Sequence, residues 1–414
     1  GKTAAFTLPI LEKVRLAPRE LSALVLCPTR ELCTQVARET RKLGRRHPGL
    51  EVLILSGGQP VGPQLEGLER GAHIAVGTPG RVLDMLRRGA LEPSRVATVV
   101  LDEADRMLDM GFEEDMKTIL DALPKSRQTV FFSATFPKSI EAMSRVHQRD
   151  VVRVTIESSD QPTNIEQLVY DIGNVDKSDA LLAVLVEHPH ESAIIFSNLK
   201  ATVNELEQKL VRAGASVARL HGDLEQADRD RVMAKFRNRS TRLLVATDVA
   251  ARGLDVDDLD LVLNFDLPQQ IDNYVHRIGR TGRAGKRGLA ISLTTGREED
   301  RLKAIEDATG VPLVRRRLPS GAHAKAIAGG ALARDAAMVT LYINGGRKEK
   351  VRPGDILGAL TGEAGGFAAS AIGKIEIHDH FAYVAVSKSV ARAVLASLAN
   401  GRIKGRRFKS GFAQ

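Results

Sequence analysis

Asp102-Glu103-Ala104-Asp105 follows an apolar run from Val96 to Leu101 that reads as a buried strand of a parallel sheet. Such sheets bind ligands just beyond the carboxyl ends of their strands. Carboxylates placed there suit nucleotide hydrolysis. One would hold Mg²⁺ through water, and a neighbour would polarise the attacking water. Gly1-Lys2-Thr3 precedes a helical pattern and matches the last three residues of a phosphate-binding loop. In that loop backbone N–H groups cradle phosphate, the lysine reaches the β- and γ-phosphates, and the hydroxyl ligates Mg²⁺. A third set is His276-Arg277-Ile278-Gly279-Arg280-Thr281-Gly282-Arg283. Arg280 and Arg283, three apart, would share a helical face or converge from a turn. Arginine binds phosphate bidentately and stabilises charge that develops in phosphoryl transfer. Together these groups predict an ATP-driven motor.

The elements that must position them follow a regular rhythm. Residues 1–155 alternate apolar runs (21–27, 51–56, 73–77, 97–102, 129–133) with amphipathic stretches such as Arg30 to Leu43. That is the βαβ pattern of a parallel sheet. Ser133-Ala134-Thr135 ends the fifth run; its hydroxyls would bond the acidic motif, but taken alone the triplet reads rather as a helix cap, a common role for Ser and Thr. A polar stretch, Glu157 to Asn164, reads as a linker. Residues 165–310 repeat the rhythm, with strands expected at 192–196, 217–220, 242–246, 259–265 and 288–293. Residues 311–336, with Arg315-Arg316-Arg317, read as a basic linker. Residues 337–414 change order: strand 339–344, helix 355–360, strands 373–377 and 381–386, helix 387–398 and strand 403–408. This βαββαβ order is ferredoxin-like. The fold class expected is α/β, with two parallel-sheet domains followed by a small α+β domain.

The chain has 414 residues, 43% of them hydrophobic, with a net charge of +9. Ala337 to Gln414 holds twelve Lys and Arg against five Asp and Glu, so the excess concentrates in the last module. A polyanionic partner or a solvated basic surface would account for it equally. No stretch is long and apolar enough to span a bilayer. Cys27 and Cys33 are the only cysteines, which excludes a disulfide framework and suits reduced cytoplasmic thiols.

Residues 1–310 resemble a DEAD-box RNA helicase, and motifs of this number in this order are highly specific. Pro28-Thr29-Arg30-Glu31-Leu32, Gly57-Gly58 and Thr78-Pro79-Gly80-Arg81 resemble its early RNA motifs. Phe196-Ser197-Asn198, His221-Gly222-Asp223, Gln226 with Arg229, and Ala246 to Asp255 follow in order. The resemblance implies two RecA-like domains using ATP and Mg²⁺. It implies that Gly1, Lys2, Thr3, Asp102, Glu103, Gly253, Asp255, Arg280 and Arg283 bind ATP, with Thr3 and Asp102 serving Mg²⁺. Glu103 would activate water. Asp105 would couple to Ser133, Thr135 and His276 across the cleft. Arg30, Gly58, Thr78, Arg81, Gln226, Arg229 and Thr247 would lie along RNA. ATP and RNA would each favour a closed arrangement and so tighten each other's binding. The family's adenine-reading segment and the first part of its phosphate loop are absent, so an amino-terminally truncated record that binds ATP poorly is expected. The function is assigned to the intact protein.

Leu341-Tyr342-Ile343-Asn344 and Phe381-Ala382-Tyr383-Val384 resemble the two short motifs of an RNA-recognition (RRM-like) domain. By alternation Tyr342 shares a face with Thr340, and Phe381 with Tyr383. Aromatics on an open face would stack on bases, although some would serve as core. Lys348, Lys350, Lys374, Arg402, Lys404, Arg406 and Arg407 would hold phosphates, as would Arg352. The whole chain is similar to bacterial family members with such a module. That resemblance implies 23S ribosomal RNA in precursor large subunits as the partner, with a cytoplasmic monomer expected. A general helicase with a nonspecific basic tail, or an ATP-gated RNA clamp, are the alternatives.

Overall fold

A computed structural model of the chain describes residues 2–155, 164–251, 256, 258–282, 287–318, 332–333, 336–362 and 365–413. Gly1, Gly253, Asp255 and Arg283 lie outside them, as does most of the polar stretch read as the first linker. Two units result, one built on residues 1–156 and one on most of the remainder.

The first unit holds a five-stranded sheet of β1 (Ala23–Leu26), β2 (Val52–Leu55), β3 (Ile74–Gly77), β4 (Thr98–Asp102) and β5 (Gln128–Phe132), in the order β2-β3-β1-β4-β5. All pairs are parallel. Its strands are apolar without a polar face because both faces are covered. Leu24, Leu26, Val99 and Leu101 enter one core, whereas Ala23, Val25, Val52 and Val100 enter the other. Period-two alternation thus divides two cores rather than core from solvent.

The second unit contains a parallel sheet of β6 (Ile165–Asp171), β7 (Ala193–Phe196), β8 (Val217–Leu220), β9 (Leu243–Ala246), β10 (Leu261–Asn264), β11 (Gly288–Thr294) and β12 (Val314–Arg317). Its order is β12-β6-β11-β10-β7-β9-β8. Two of these strands depart from the sequence reading. β6 was absent from the expected strands. β12 falls inside the stretch read as a basic linker, yet it pairs with β6 from Val314↔Leu168 to Arg317↔Asp171. All four β12 residues are exposed, so this edge strand has no apolar pattern to announce it.

The same unit ends in a four-stranded sheet of β13 (Met338–Ile343), β14 (Ile372–Ile377), β15 (Ala382–Ser387) and β16 (Ser410–Phe412), ordered β14-β15-β13-β16. The pairs are antiparallel. Leu341, Ile343, Val384 and Val386 pack with Ile356, Leu360, Val394 and Leu398 of helices Pro353–Thr361 and Ala391–Asn400. The last strand lies beyond the 403–408 expected. Ile403 and Arg406 instead bridge each other across a turn, where Lys404 and Gly405 have positive φ.

Gly77 closes β3 where the chain turns toward Thr78. A Cβ there would lie 2.5 Å from Val82 Cγ2 and 2.8 Å from the Leu55 carbonyl. Gly77→Ala is expected to cost about 1–3 kcal/mol by overpacking, read as an earlier thermal transition.

Candidate functional site

Asp102 ends β4 and is 4% exposed. Glu103 then turns the chain in a left-handed conformation, φ 54° and ψ 52°, before helix Ala104–Asp109. A glutamate there costs of order 1 kcal/mol, and such strain collects at functional positions. Arg106, one turn on, donates from Nη1 to Glu103 Oε2 at 2.9 Å. Burial, reinforced by Glu103, pushes the Asp102 carboxyl up to about 6, while Lys2 and Arg106 pull it down. A buried oxygen donor beside a second carboxylate and the Lys2 charge is a site that a small cation would neutralise. Lys2 begins helix Lys2–Lys13, and Thr3 is half-buried beside it. Cys27 and Cys33 are free thiols buried at the end of β1 and in helix Arg30–Leu43. Burial pushes the Cys27 thiol up, and Cys33, Asp102 and Glu103 act in the same sense, so it stays protonated.

Asp105 lies against the segment after β5. Its Oδ2 accepts from the Ala134 amide (3.2 Å), the Thr135 amide (2.9 Å) and the Thr135 hydroxyl (3.0 Å). Its amide donates to Ser133 Oγ at 3.2 Å. Burial raises the Asp105 carboxyl, but these donors outweigh it and hold the group below its usual range. Ser133 and Thr135 therefore serve the acidic motif rather than cap a helix.

Four residues expected along RNA, Arg30, Gly58, Thr78 and Arg81, lie at the same sheet edge. Thr29 caps helix Arg30–Leu43 by accepting from the Leu32 amide at 3.3 Å. Gly58, at φ 65°, sits against Arg30, where a Cβ would fall 1.7 Å from Nη2. Thr78 precedes helix Pro79–Arg87, whose Arg81 faces Asp84 at 3.8 Å.

In the second unit Gln226 donates to Asp230 at 2.7 Å and Arg229 to the Ala250 carbonyl at 2.6 Å. Thr247 is buried after β9. His276 lies on helix Ile271–Ile278, and Arg280 follows its end. Sequence reading missed the residue between them. Arg277 is 2% exposed and bonds Asp248, Asn264, Asn198 and the Asp266 carbonyl. Its position inside the arginine-rich run was the available signal.

The last sheet places Thr340, Tyr342, Tyr383 and Glu376 on one face, with Tyr342 opposite Tyr383. Tyr342, Phe381 and Tyr383 touch one another, with ring centroids 5.3–6.1 Å apart. Tyr383 was expected on an open base-stacking face. It is instead 5% exposed and packs with Ala234 of helix Gln226–Arg237 and with Ala413. The end of that helix covers the sheet. Arg237 clasps Glu376 at 2.9 and 2.7 Å, Asn238 donates to Thr340 Oγ1 at 3.2 Å, and Ser240 shares a bond with the same hydroxyl. Tyr342 and Phe381 remain half-buried beside this contact. Lys348, Lys350, Arg402, Lys404, Arg406 and Arg407 stay exposed on two loops, joined where Lys404 donates to the Lys350 carbonyl at 3.3 Å. Among the described residues, no helix is long and apolar enough to cross a membrane.

A parallel-sheet unit with an acidic strand end beside Lys2, and a second with an arginine-bearing helix at its sheet edge, define the class of two-domain nucleotide hydrolases. Residues 1–143 match the DEAD/DEAH box helicase model, 176–285 the helicase conserved C-terminal domain, and 340–410 the DbpA RNA binding domain. The chain is 45% identical over 406 residues to ATP-dependent RNA helicase DbpA of Escherichia coli, covering 98% of this chain and 87% of that protein. It is 43% identical over 321 residues to DEAD-box ATP-dependent RNA helicase CshA of Bacillus licheniformis, covering 77% of this chain and 66% of that one. Saccharomyces cerevisiae Dbp5 bound to RNA and ADP BeF3 superposes with a TM-score of 0.68 at 32% identity, over 80% of this chain and 86% of Dbp5. The chain belongs to the DEAD-box ATP-dependent RNA helicases, enzymes that hydrolyse ATP.

Two outcomes follow from this geometry. Gly58→Ala displaces the Arg30 guanidinium and is expected to weaken RNA binding about tenfold, an electrostatic contact worth about 1.4 kcal/mol, with basal ATPase unchanged, in RNA titrations of the ATPase. Glu376→Gln, which loses the charge-assisted clasp, is expected to destabilise the docked unit by about 1.5–3 kcal/mol at neutral pH. Burial raises the Glu376 carboxyl, but Arg237 and Lys374 outweigh it and hold it below 4.5. The clasp is therefore complete above pH 4.5 and is lost as pH falls through the lower folded value, so melts of the two proteins should converge only in acid.

Proposed function

We propose that this chain opens short duplexes of 23S ribosomal RNA during assembly of the large ribosomal subunit, driven by ATP hydrolysis, as a cytoplasmic monomer. The observation that carries the hydrolytic part is the corner formed by Asp102, Glu103 and Lys2, where burial has raised a carboxyl next to a strained glutamate. The RNA-binding part is supported by the match of residues 340–410 and by the exposed basic loops. Ribosomal specificity extends the likeness to bacterial relatives that carry this module.

In this reading Lys2 and Thr3 bind phosphate, with Gly1 lending its amide. Asp102 and the Thr3 hydroxyl would hold Mg²⁺, partly through water, and their oxygens suit that hard cation. When bound, that cation would supply positive charge against the phosphates. Glu103 accepts the proton of the attacking water, and Arg106 orients it. Arg280 and Arg283 stabilise charge on the transferred phosphate, while Gly253 and Asp255 hold the nucleotide. Asp105, Ser133, Thr135 and His276 transmit the nucleotide state. Arg30, Gly58, Thr78, Arg81, Gln226, Arg229 and Thr247 follow the RNA backbone, reading charge and shape rather than sequence. Lys348 and Lys350, with the neighbouring loop at Lys404 and Arg406, hold the anchor RNA. Tyr342 and Phe381, at the rim of the docked face, offer rings to it. Tyr383 serves the docking contact.

The test compares ATP hydrolysis and short-duplex strand displacement by the full-length protein with a 23S ribosomal RNA fragment and with unrelated RNA. Stimulation by the ribosomal fragment alone is expected. Equal stimulation by both would reduce the module to a nonspecific tether, and hydrolysis without displacement would leave an ATP-gated clamp. Glu103→Gln is expected to lower turnover at least about a hundredfold, the scale of a lost general base, with ATP binding retained in a fluorescent-nucleotide titration. Normal turnover in that variant would remove Glu103 from this role.

A further inference from the structure

Arg277 is among the largest fully buried side chains of the chain. A guanidinium has five N–H donors and no acceptor. Here each donor is used. Nε donates to Asp248 Oδ1 at 2.6 Å. One Nη2 hydrogen goes to Asp248 Oδ2 at 2.6 Å and the other to Asn198 Oδ1 at 3.0 Å. Nη1 donates to Asn264 Oδ1 at 3.1 Å and to the Asp266 carbonyl at 2.6 Å. The guanidinium also lies 5.0 Å from the Phe196 ring centre.

These partners come from three different loops. Asn198 follows β7, Asp248 follows β9, and Asn264 and Asp266 mark the end of β10. The loops are tied to each other as well. Asp266 Oδ2 accepts from the Ser197 hydroxyl at 2.7 Å and the Asn198 amide at 3.0 Å. Asn198 Nδ2 donates to the Leu267 carbonyl at 2.9 Å. A well-packed apolar residue would fill the volume without burying a charge, and a buried ion pair is weak evidence for stability alone. The fork geometry instead fixes relative positions, which lysine, a point charge on a flexible stem, cannot reproduce.

We propose that Arg277 is a positioning residue that couples RNA contact to ATP turnover. Asp248 directly follows Thr247, the residue read as touching RNA. Helix Ile271–Ile278 carries His276 and leads into Arg280, the residue read as facing phosphate. Through its two bonds to Asp248, Arg277 locks the Thr247 loop to that helix, so a shift at either side must move the other. The inference rests on the proposed roles of Thr247 and Arg280 and adds the link between them.

The experiment uses the full-length protein and measures RNA affinity with and without a nonhydrolysable ATP analogue, together with kcat and KM for ATP. Arg277→Lys and Asp248→Asn are each expected to keep RNA affinity without nucleotide within about twofold. The analogue's tightening of RNA binding, of order 5–150-fold for coupled sites, should fall to near one. The kcat at saturating RNA should drop at least about tenfold, with KM for ATP little changed. The double variant should be no worse than either single one, because both remove the same link. An Arg277→Lys protein that melts like the native one yet keeps native coupling would overturn the proposal. Where Arg277→Lys fails to fold, a natively melting Asp248→Asn variant decides: retained coupling overturns the link, lost coupling supports it. Arg280→Ala separates the two levels. Native turnover in that variant removes the phosphate role of Arg280, and loss of turnover alongside native coupling in the Arg277 and Asp248 variants removes only the link.

Discussion

In both α/β domains neighbouring strands run the same way, so each connection must return across a face of the sheet before the next strand begins. Helices on both faces bury the strands, and the strand ends remain as places where side chains meet solvent and ligand. At the carboxyl edge of the first sheet stand Thr29, Thr78, Asp102 and Ser133; at that of the second stand Asn198, His221, Thr247 and Asp266. Helices start just beyond several of these strands, so their free amides also point there. The chemistry of each domain is thus confined by topology before any individual side chain is chosen.

Three buried charges at these edges and at the docked sheet are satisfied to different degrees, and the differences match what each can do. Arg277 has an acceptor for every donor and no freedom left. Glu376 is clasped by one arginine from another domain and assisted by Lys374 at 3.3 Å, so its stability depends on that docking. Asp102 has neither arrangement. Its carboxyl is raised by burial and by Glu103, and Lys2 offsets this only in part. A group left in that condition gains most from a cation and a phosphate arriving together. Saturation suits a hinge pin, and incomplete satisfaction suits a binding site.

Much of this was legible in the sequence where residue type and structural role coincide. The first domain's strands are apolar runs because they are buried on both faces, and their expected positions hold to within two residues at each end. The acidic motif announced itself by ending such a run. Legibility failed where the determining contact is remote. β12 is Val-Arg-Arg-Arg with every residue exposed, and only pairing with β6 makes it a strand. β16 follows a turn whose left-handed Lys404 has no local signature. Tyr383 had the correct face by alternation, but alternation cannot say whether a face meets solvent or a helix more than a hundred residues earlier in the chain. Arg277 sat in plain view among arginines expected to meet phosphate, and its burial is a property of three converging loops.

The docked sheet also changes what the last module can contribute. Helix Gln226–Arg237 has twelve residues, so at 1.5 Å rise per residue it spans about 18 Å. Its first turn presents Gln226 and Arg229, and its last residue clasps Glu376. The basic loops around Lys350 and Lys404 belong to the module so clasped. Under the proposed function, one rigid rod therefore separates RNA held by the module from RNA touched at the helicase domain. A flexible tether would raise the local concentration of any nearby RNA without choosing among segments. A module held by a bidentate ion pair, two side-chain bonds to Thr340 and a buried tyrosine offers a direction as well as a concentration. Under the same proposal, such mounting would select RNA by the distance between anchor and duplex, which contacts to the phosphate backbone alone cannot read.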